Sequence, residues 1–486
     1  MIRLSEGCLQ TATRLPKRRF PAHVVRAIVG WWVLVEANRA ARATGLILLL
    51  VGWLAVTANL AVGQVPYEQR TASQEYFQTL GAPMWGPQLE EEIPRVWQCP
   101  SGNTFQWRGR IDLDSIWTTQ SAGNIFAFGE LGDVVGLRRA RIGAQGDLVD
   151  NRRYVIEFDM AVGELVPRDI FIGYGTPREG GERRYGHFRE PFSLEGNTSA
   201  NYYMFLERSP INDLDPARAW GGCLFRTNPA ETSTLAVGLF HNGSGLSDFE
   251  AGNSAAAALT ARLTAAPILE DDGRRLLHLG FVVSERISEN GIVTVNQHPR
   301  AELLDPSDST LSPFVPEIDV PADFQQLFNL QLATCNGPFW TQSEWYGSII
   351  AQIGGGPVFL RGFYTSCGYF LTGENRKYEQ ATGVLGPIDV RRPVLHCAEA
   401  RGKPHGWGAW ELTARFSYLN FFDNDLPPGP VGQNVGVRLP QATFGVNWHL
   451  ANRLRLMFNY SYEAPDEANV GTTEASVYAT RLNVFW

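Results

Sequence analysis

The segment RLRLMFNYSY, residues 453–462, sorts its side chains into two sets by position alone. Leu454, Leu456, Phe458, Tyr460 and Tyr462 fall on one face of an extended chain, and Arg453, Arg455, Asn459 and Ser461 on the other, because successive residues of a strand point to opposite sides. The pattern recurs in FQWRGRIDLD (105–114), RYVIEFDM (153–160), WELTARFSY (410–418), QATFGVNWHL (441–450) and YATRLNVFW (478–486). A chain written this way must find two different surroundings for the two faces of its strands.

Further strands are predicted at 137–146, 168–175, 183–188, 219–227, 232–241, 256–265, 275–284, 323–333, 340–351 and 358–371. Together they make about sixteen strands of about ten residues, the length of tilted strands that cross a bilayer. The polar face separates a membrane barrel from a soluble sandwich. It carries Arg, Asn, Gln, Ser, Thr and Asp rather than the Lys and Glu of a face in bulk water, and aromatics cluster near the ends of the apolar face, as in interfacial girdles. Lipid cannot satisfy open sheet edges, so the sheet must close. The expected fold is therefore all-β, a transmembrane antiparallel β-barrel. The 49 glycines and 12 % aromatic residues suit many strands and turns.

With both termini on the periplasmic side, the short links 147–152, 176–182, 228–231, 266–274, 334–339 and 449–453 fall at the periplasmic end. The longer links 118–136, 189–218, 285–322, 421–439 and 463–474 fall outside. Residues 372–409 break this rule, being long yet periplasmic.

Near the N-terminus, Arg39 and Arg42 precede the apolar run LILLLVGWLAVTANL (46–60), with small residues at Ala61 and Gly63. This is the layout of a secretory signal, so residues 1–63 are expected to be a signal peptide; a mis-chosen start codon and an uncleaved anchor are the alternatives. Residues 64–103 are expected to form an N-terminal periplasmic extension and 104–486 the barrel. Residues 1–63 carry eight basic and two acidic residues, so the remainder of a chain with net charge −8 carries −14. That balance argues against nucleic acid as a partner. Five of six cysteines follow residue 63 without CxxC spacing, which favours one structural bridge over metal or redox chemistry. No cofactor and no metal site is expected.

Six stretches in order, LRRARIG (137–143), GHFREPFSLE (186–195), NYYMFLERS (201–209), GFYTSCGYFLTGE (362–374), GAWELTARFSYL (408–419) and FGVNWHLANRLRLMFNY (444–460), resemble the phosphate-selective porin O and P family. The resemblance runs from about residue 104 to the C-terminus. It implies a sixteen-stranded outer-membrane porin, a homotrimer, with loops folded into the lumen and basic residues lining a path for small inorganic anions such as phosphate or polyphosphate. It also implies a long periplasmic turn folded inward, which would account for residues 372–409.

Alternation places Arg108, Arg110, Arg139, Arg141, Arg153, Arg262, Arg415, Arg453, Arg455 and Arg481 on the inward face. The family's RRA position falls on Arg138 and Arg139; strand parity puts Arg138 on the opposite face from Arg139. Arg189 stands where relatives often have lysine, just before the loop expected in the lumen, and the inward turn offers Arg376, Lys377, Arg391, Arg392, Arg401 and Lys403. Arginine suits an oxyanion path, since its guanidinium stays charged and donates in a fixed fork. Pairing with Asp112, Asp114, Glu157, Asp159 and Glu411, which would stiffen the wall, stands equally open for each arginine. A non-selective or cation-preferring porin, a structural or adhesive barrel and an outer-membrane hydrolase are the competing classes. The eight histidines fall in no GxSxG, HExxH or P-loop context, so no enzyme is expected.

Overall fold

The computed structural model describes residues 96–486, apart from 162, 164, 217, 242–254, 289, 298–313, 396–402, 428–435 and 468–469. The expected signal peptide, most of the expected extension, Arg401 and Cys397 lie outside the described residues.

Sixteen antiparallel strands form the wall. They are β1 (Thr104–Gln120), β2 (Val134–Leu148), β3 (Arg152–Asp159), β4 (Val166–Tyr174), β5 (Glu182–Arg189), β6 (Arg218–Thr227), β7 (Ser233–His241) and β8 (Ala257–Glu270). There follow β9 (Arg275–Ile287), β10 (Val315–Asn336), β11 (Phe339–Gln352), β12 (Val358–Phe370), β13 (Ala409–Asn420), β14 (Val437–Ala451), β15 (Leu454–Glu463) and β16 (Ala475–Phe485). Each pairs with its neighbour in sequence, and β16 pairs with β1 from Arg110↔Phe485 to Gln120↔Ala475, so the sheet closes on itself. All sixteen predicted strands are found, with ends displaced where caps and bulges override the alternation. Just ahead of β1, Trp97 and Gln98 already pair with Phe105 and Thr104.

The barrel is inside out relative to a soluble protein. Trp107, Leu113, Leu412, Phe444 and Tyr478 are exposed, whereas Asp112, Asp114, Glu411 and Arg481 are buried. That inversion is what an apolar solvent outside and a polar interior select. Among the described residues no helix is long and apolar enough to cross a membrane; the strands do so.

Tight turns gather at one end, for example Asp150 and Asn151 with φ of 65° and 52°, residue types that tolerate the left-handed region. Longer links gather at the other end, where the link after β1 carries α1 (Ala122–Phe128), capped by Ser121.

Two segments fill much of the interior. Residues 190–216, after β5, contain the short helix α2 (Leu194–Asn197) and 3-10 turns at Ala200–Tyr202 and Pro210–Leu214. Residues 371–395, after β12, form a short hairpin that pairs Arg376–Glu379 with Val384–Ile388. The hairpin packs Tyr378, Val384, Leu385 and Ile388 into one apolar cluster with Leu194, Met204 and Phe205 of the first segment and Trp340 and Phe370 of the wall. Ile211 and Leu214 join a second cluster with Phe192, Tyr346 and Leu419. Close approach depends on Gly362 of β12, where an added Cβ would lie 2.4 Å from Ile211 Cδ1. Among the described cysteines Cys99, Cys223, Cys335 and Cys367 are all free, so the expected bridge is not formed among these four.

Candidate functional site

The charged groups of the interior divide into a dry half and a wet half. On the dry half, side chains of the wall and of the hairpin donate to the backbone of the inserted segment. Arg376 Nη2 reaches Tyr202 O at 3.3 Å, Arg455 Nη1 reaches Tyr203 O at 2.5 Å, and Asn447 Nδ2 reaches Met204 O at 2.9 Å. Arg481 Nη1 reaches Leu206 O at 2.5 Å and Arg415 Nη1 reaches Glu207 O at 2.9 Å. These carbonyls lie outside the strands of the barrel, and the side-chain donors offset the cost of removing them from water. Arg262 does the same for the hairpin tip, donating to Thr382 O and Gly383 O at 2.7 Å each.

Beneath this ladder the acids close a buried network. Arg481 meets both oxygens of Asp114 at 2.7 and 2.6 Å and Glu207 at 2.7 Å. Asp112 accepts from Arg110, Arg139 and Asn483 at 2.9, 3.2 and 2.6 Å. Glu411 accepts from Trp340 and Asn447 at 2.6 and 2.7 Å. Burial alone would raise the Glu207 carboxyl, but Arg138, Arg139 and Arg481 together hold it well below the usual range. Burial pushes Asp215 up to about 6 against the pull of Arg189, and Glu379 of the hairpin up to about 7.

Arg138 is corrected by the structure. The β1–β2 register shifts between Asp112↔Arg139 and Leu113↔Leu137, which leaves Arg138 as the extra residue of a bulge. Strand parity therefore fails there. Arg138 turns inward beside Arg139 and reaches Glu207 at 3.1 Å.

The wet half lies along β1–β6. Here guanidinium groups stand over carboxylates and keep an outer edge in water. The exposed side-chain share is 29 % for Arg108 against 7 % for its partner Glu157, 19 % for Arg153 and 15 % for Arg184 against 1 % for their shared Glu182. It is 17 % for Arg168 against 4 % for Asp159, and 15 % for Arg189 against 1 % for Asp215. Arg141 belongs to the same group through Asp159 at 2.8 Å. Other pairs run the other way: Asp169 is more exposed than Arg218, Asp150 more than Arg152, and Glu207 more than Arg138 and Arg139. Gly173 makes the Arg153–Glu182 pair feasible across β4, because a Cβ there would lie 2.6 Å from Glu182 Oε1.

Of the arginines expected to line a path, Arg108, Arg141, Arg153 and Arg189 thus lie on the wet half. Arg110, Arg262, Arg415, Arg455 and Arg481 are each at most 4 % exposed, and Arg139 and Arg453 are also buried. Of the described basic residues of the inward turn only Arg376 is buried, its guanidinium 5.0 Å from the Trp340 ring. Lys377 pairs with Asp272 at 3.2 Å, Lys403 pairs with Asp389 at 2.6 Å, and Arg391 and Arg392 are exposed. Sequence reasoning missed Arg168, Arg184, Arg218 and Arg286. Arg184 alternates in phase with Glu182 and was legible; Arg218 and Arg286 stand one and two residues beyond the predicted strand ends.

FREPF packs the base of the inserted segment. Phe188 and Phe192 are buried, and Glu190 accepts from Arg286 at 3.0 Å and Thr260 at 2.7 Å.

A closed sixteen-stranded barrel with an apolar exterior, a charged interior and a segment folded inside defines an outer-membrane porin, a channel protein of the outer membrane. The chain belongs to the phosphate-selective porin O and P family, whose model matches residues 128–485. It is 21 % identical over 403 residues to Porin O of Pseudomonas aeruginosa, covering 78 % of this chain and 87 % of that protein. It is 26 % identical over 377 residues to an uncharacterized protein of Caulobacter vibrioides, covering 75 % of this chain and 69 % of the relative. Among solved structures, the anion-selective porin from Comamonas acidovorans is similar in fold, with a TM-score of 0.50 at 10 % identity over 79 % of this chain and 100 % of that one.

Proposed function

We propose that the channel passes small anions, inorganic phosphate among them, by passive diffusion along the β1–β6 side of the lumen. The observation that carries this reading is the layering of the ion pairs: guanidinium edges meet the water and most of the partner carboxylates lie beneath them. Paired charges cancel at a distance, but a solute at contact range meets the outer group first, and at 4 Å a unit charge is worth about 4 kcal/mol near a protein surface. Several such groups, none holding the solute alone, give weak multiple binding from which an anion can leave. The family's description as phosphate-selective supports the same reading.

Reversal potentials of the purified protein in a planar bilayer under a KCl gradient are expected to show chloride preference. Arg153→Ala with Arg184→Ala, which uncovers Glu182, should shift the potential severalfold toward potassium in permeability ratio. Potassium preference of the unaltered channel would sink the proposal.

Assembly as a homotrimer belongs to the same proposal. β3, β4 and β5 have 8, 9 and 8 residues, and eight residues tilted by ~40° climb only about 20 Å, short of a ~25 Å apolar band. A wall that low is best covered by another copy of the chain. Native mass spectrometry from detergent is expected to return three copies; a monomer at working concentration would refute the assembly.

A further inference from the structure

The wet half holds a patch whose chemistry the passage of inorganic anions does not use. Near the short-turn end, Phe171 of β4, Phe188 of β5 and Phe225 of β6 face the lumen. Phe188 lies 5.8 Å from Phe171 and 6.5 Å from Phe225, and the patch continues into a buried cluster with Phe240 and Ala236. Phe171 and Phe225 are half-buried. The Arg184 guanidinium lies between them, with Cζ 4.3 Å from each ring centroid, and the Arg153 guanidinium is 5.7 Å from Phe171. Glu182 takes Nε and Nη2 of Arg184 at 3.2 and 3.5 Å. Arg184 Nη1 has no hydrogen-bond partner among the described residues.

Half-buried phenylalanine on a water-filled wall leaves apolar area uncovered, which costs free energy unless something apolar visits it. Cations stacked on the rings add a second requirement. With Phe171 and Phe225 each at 4.3 Å and Glu182 on Nε and Nη2, Nη1 is the nitrogen of Arg184 left to meet a solute. A carboxylate accepts from such a nitrogen, and a flat apolar body fits against the uncovered part of Phe171 and Phe225.

We propose that this shelf is a binding site for small aromatic carboxylates in transit, with one carboxylate oxygen on Arg184 Nη1 and the ring against Phe171 and Phe225. It rests on the anion reading above and names an organic class of solute for that same path. Phosphate has no apolar body and gains nothing from the rings.

The test compares benzoate with acetate as blockers of chloride current through the full-length channel in a planar bilayer. Benzoate is expected to block at about tenfold lower concentration, a ratio within reach of one ring-on-ring contact. Phe171→Leu and Phe225→Leu should remove most of that difference while leaving the reversal potential in place. Equal block by the two solutes in an anion-preferring channel overturns the shelf and leaves the anion reading standing. Potassium preference of the unaltered channel overturns both.

Discussion

Arg481→Leu is expected to lower the unfolding free energy of the barrel by about 3–5 kcal/mol, the range for removing one partner from a buried ion pair. The side chain is 1 % exposed, meets both oxygens of Asp114, and also reaches Glu207 and the Leu206 carbonyl. Glu207 keeps Arg138 and Arg139, so its loss is partial. Among the described residues Asp114 has no second partner of this kind, and its carboxylate would stay buried without compensation. Urea unfolding of protein refolded into detergent or vesicles reads the change. Arg481→Lys should fall between, since an ammonium keeps the charge but cannot make the two parallel bonds. Pairing Arg481→Leu with Asp114→Leu should recover much of the loss, because removing both partners leaves no orphaned charge. A loss under about 1 kcal/mol for Arg481→Leu, the size of an exposed pair, would show that water reaches this network and that the dry half is not dry.

The wall was legible in the sequence because lipid leaves it no freedom. Outward residues such as Trp107, Leu113, Leu412, Phe444 and Tyr478 are apolar and most of the alternate, inward ones are polar, so parity alone located all sixteen strands. Parity also found Arg108, Arg110, Arg415, Arg455 and Arg481 on the inward side. It failed at Arg138, where one inserted residue resets the count and a single strand read alone gives no sign of it. It gave nothing for residues 190–217. Tyr203, Met204, Leu206 and Glu207 contribute backbone carbonyls to the packing, and a carbonyl is the same in every residue. For that reason the role of Arg455 and Arg481 could not be told from their strands. Whether an inward arginine meets solute or holds a loop depends on what lies across the lumen. The inserted segment covers Arg415, Arg455 and Arg481 and reaches Arg138 and Arg139 but leaves Arg108, Arg153, Arg184 and Arg189 partly exposed. The layering on the wet half, with Arg over Glu at 153 and 182, likewise comes from three strands meeting at Gly173 rather than from one.

Glu344→Ala is expected to unseat the inserted segment while leaving the wall intact. Glu344 projects inward from β11 and its carboxylate accepts from the backbone N–H groups of Leu194 and Glu195 at 2.6 and 2.9 Å and from Tyr364 Oη at 2.7 Å. These two N–H groups belong to the first turn of α2, where no intrahelical acceptor exists; Ser193 Oγ already serves Gly196 at 2.7 Å. Alanine leaves both donors buried without an acceptor, at about 1–3 kcal/mol each. Amide exchange at Leu194 and Glu195 should therefore accelerate by at least ~30-fold, the equivalent of ~2 kcal/mol in a local opening. The ladder bonds of β11 to β10 and β12 run through the backbone and do not involve the carboxylate, so resistance to urea should change far less than for Arg481→Leu. Single-channel recordings carry the functional side: a segment that leaves its seat widens the lumen, so conductance and open-channel noise should both rise. Glu344→Gln retains one acceptor oxygen and should lie between. If conductance and exchange at residues 194 and 195 are unchanged in Glu344→Ala, the segment is held by the carbonyl ladder from Arg376 to Arg481 alone, and the docking of α2 on Glu344 has no part in setting the width of the channel.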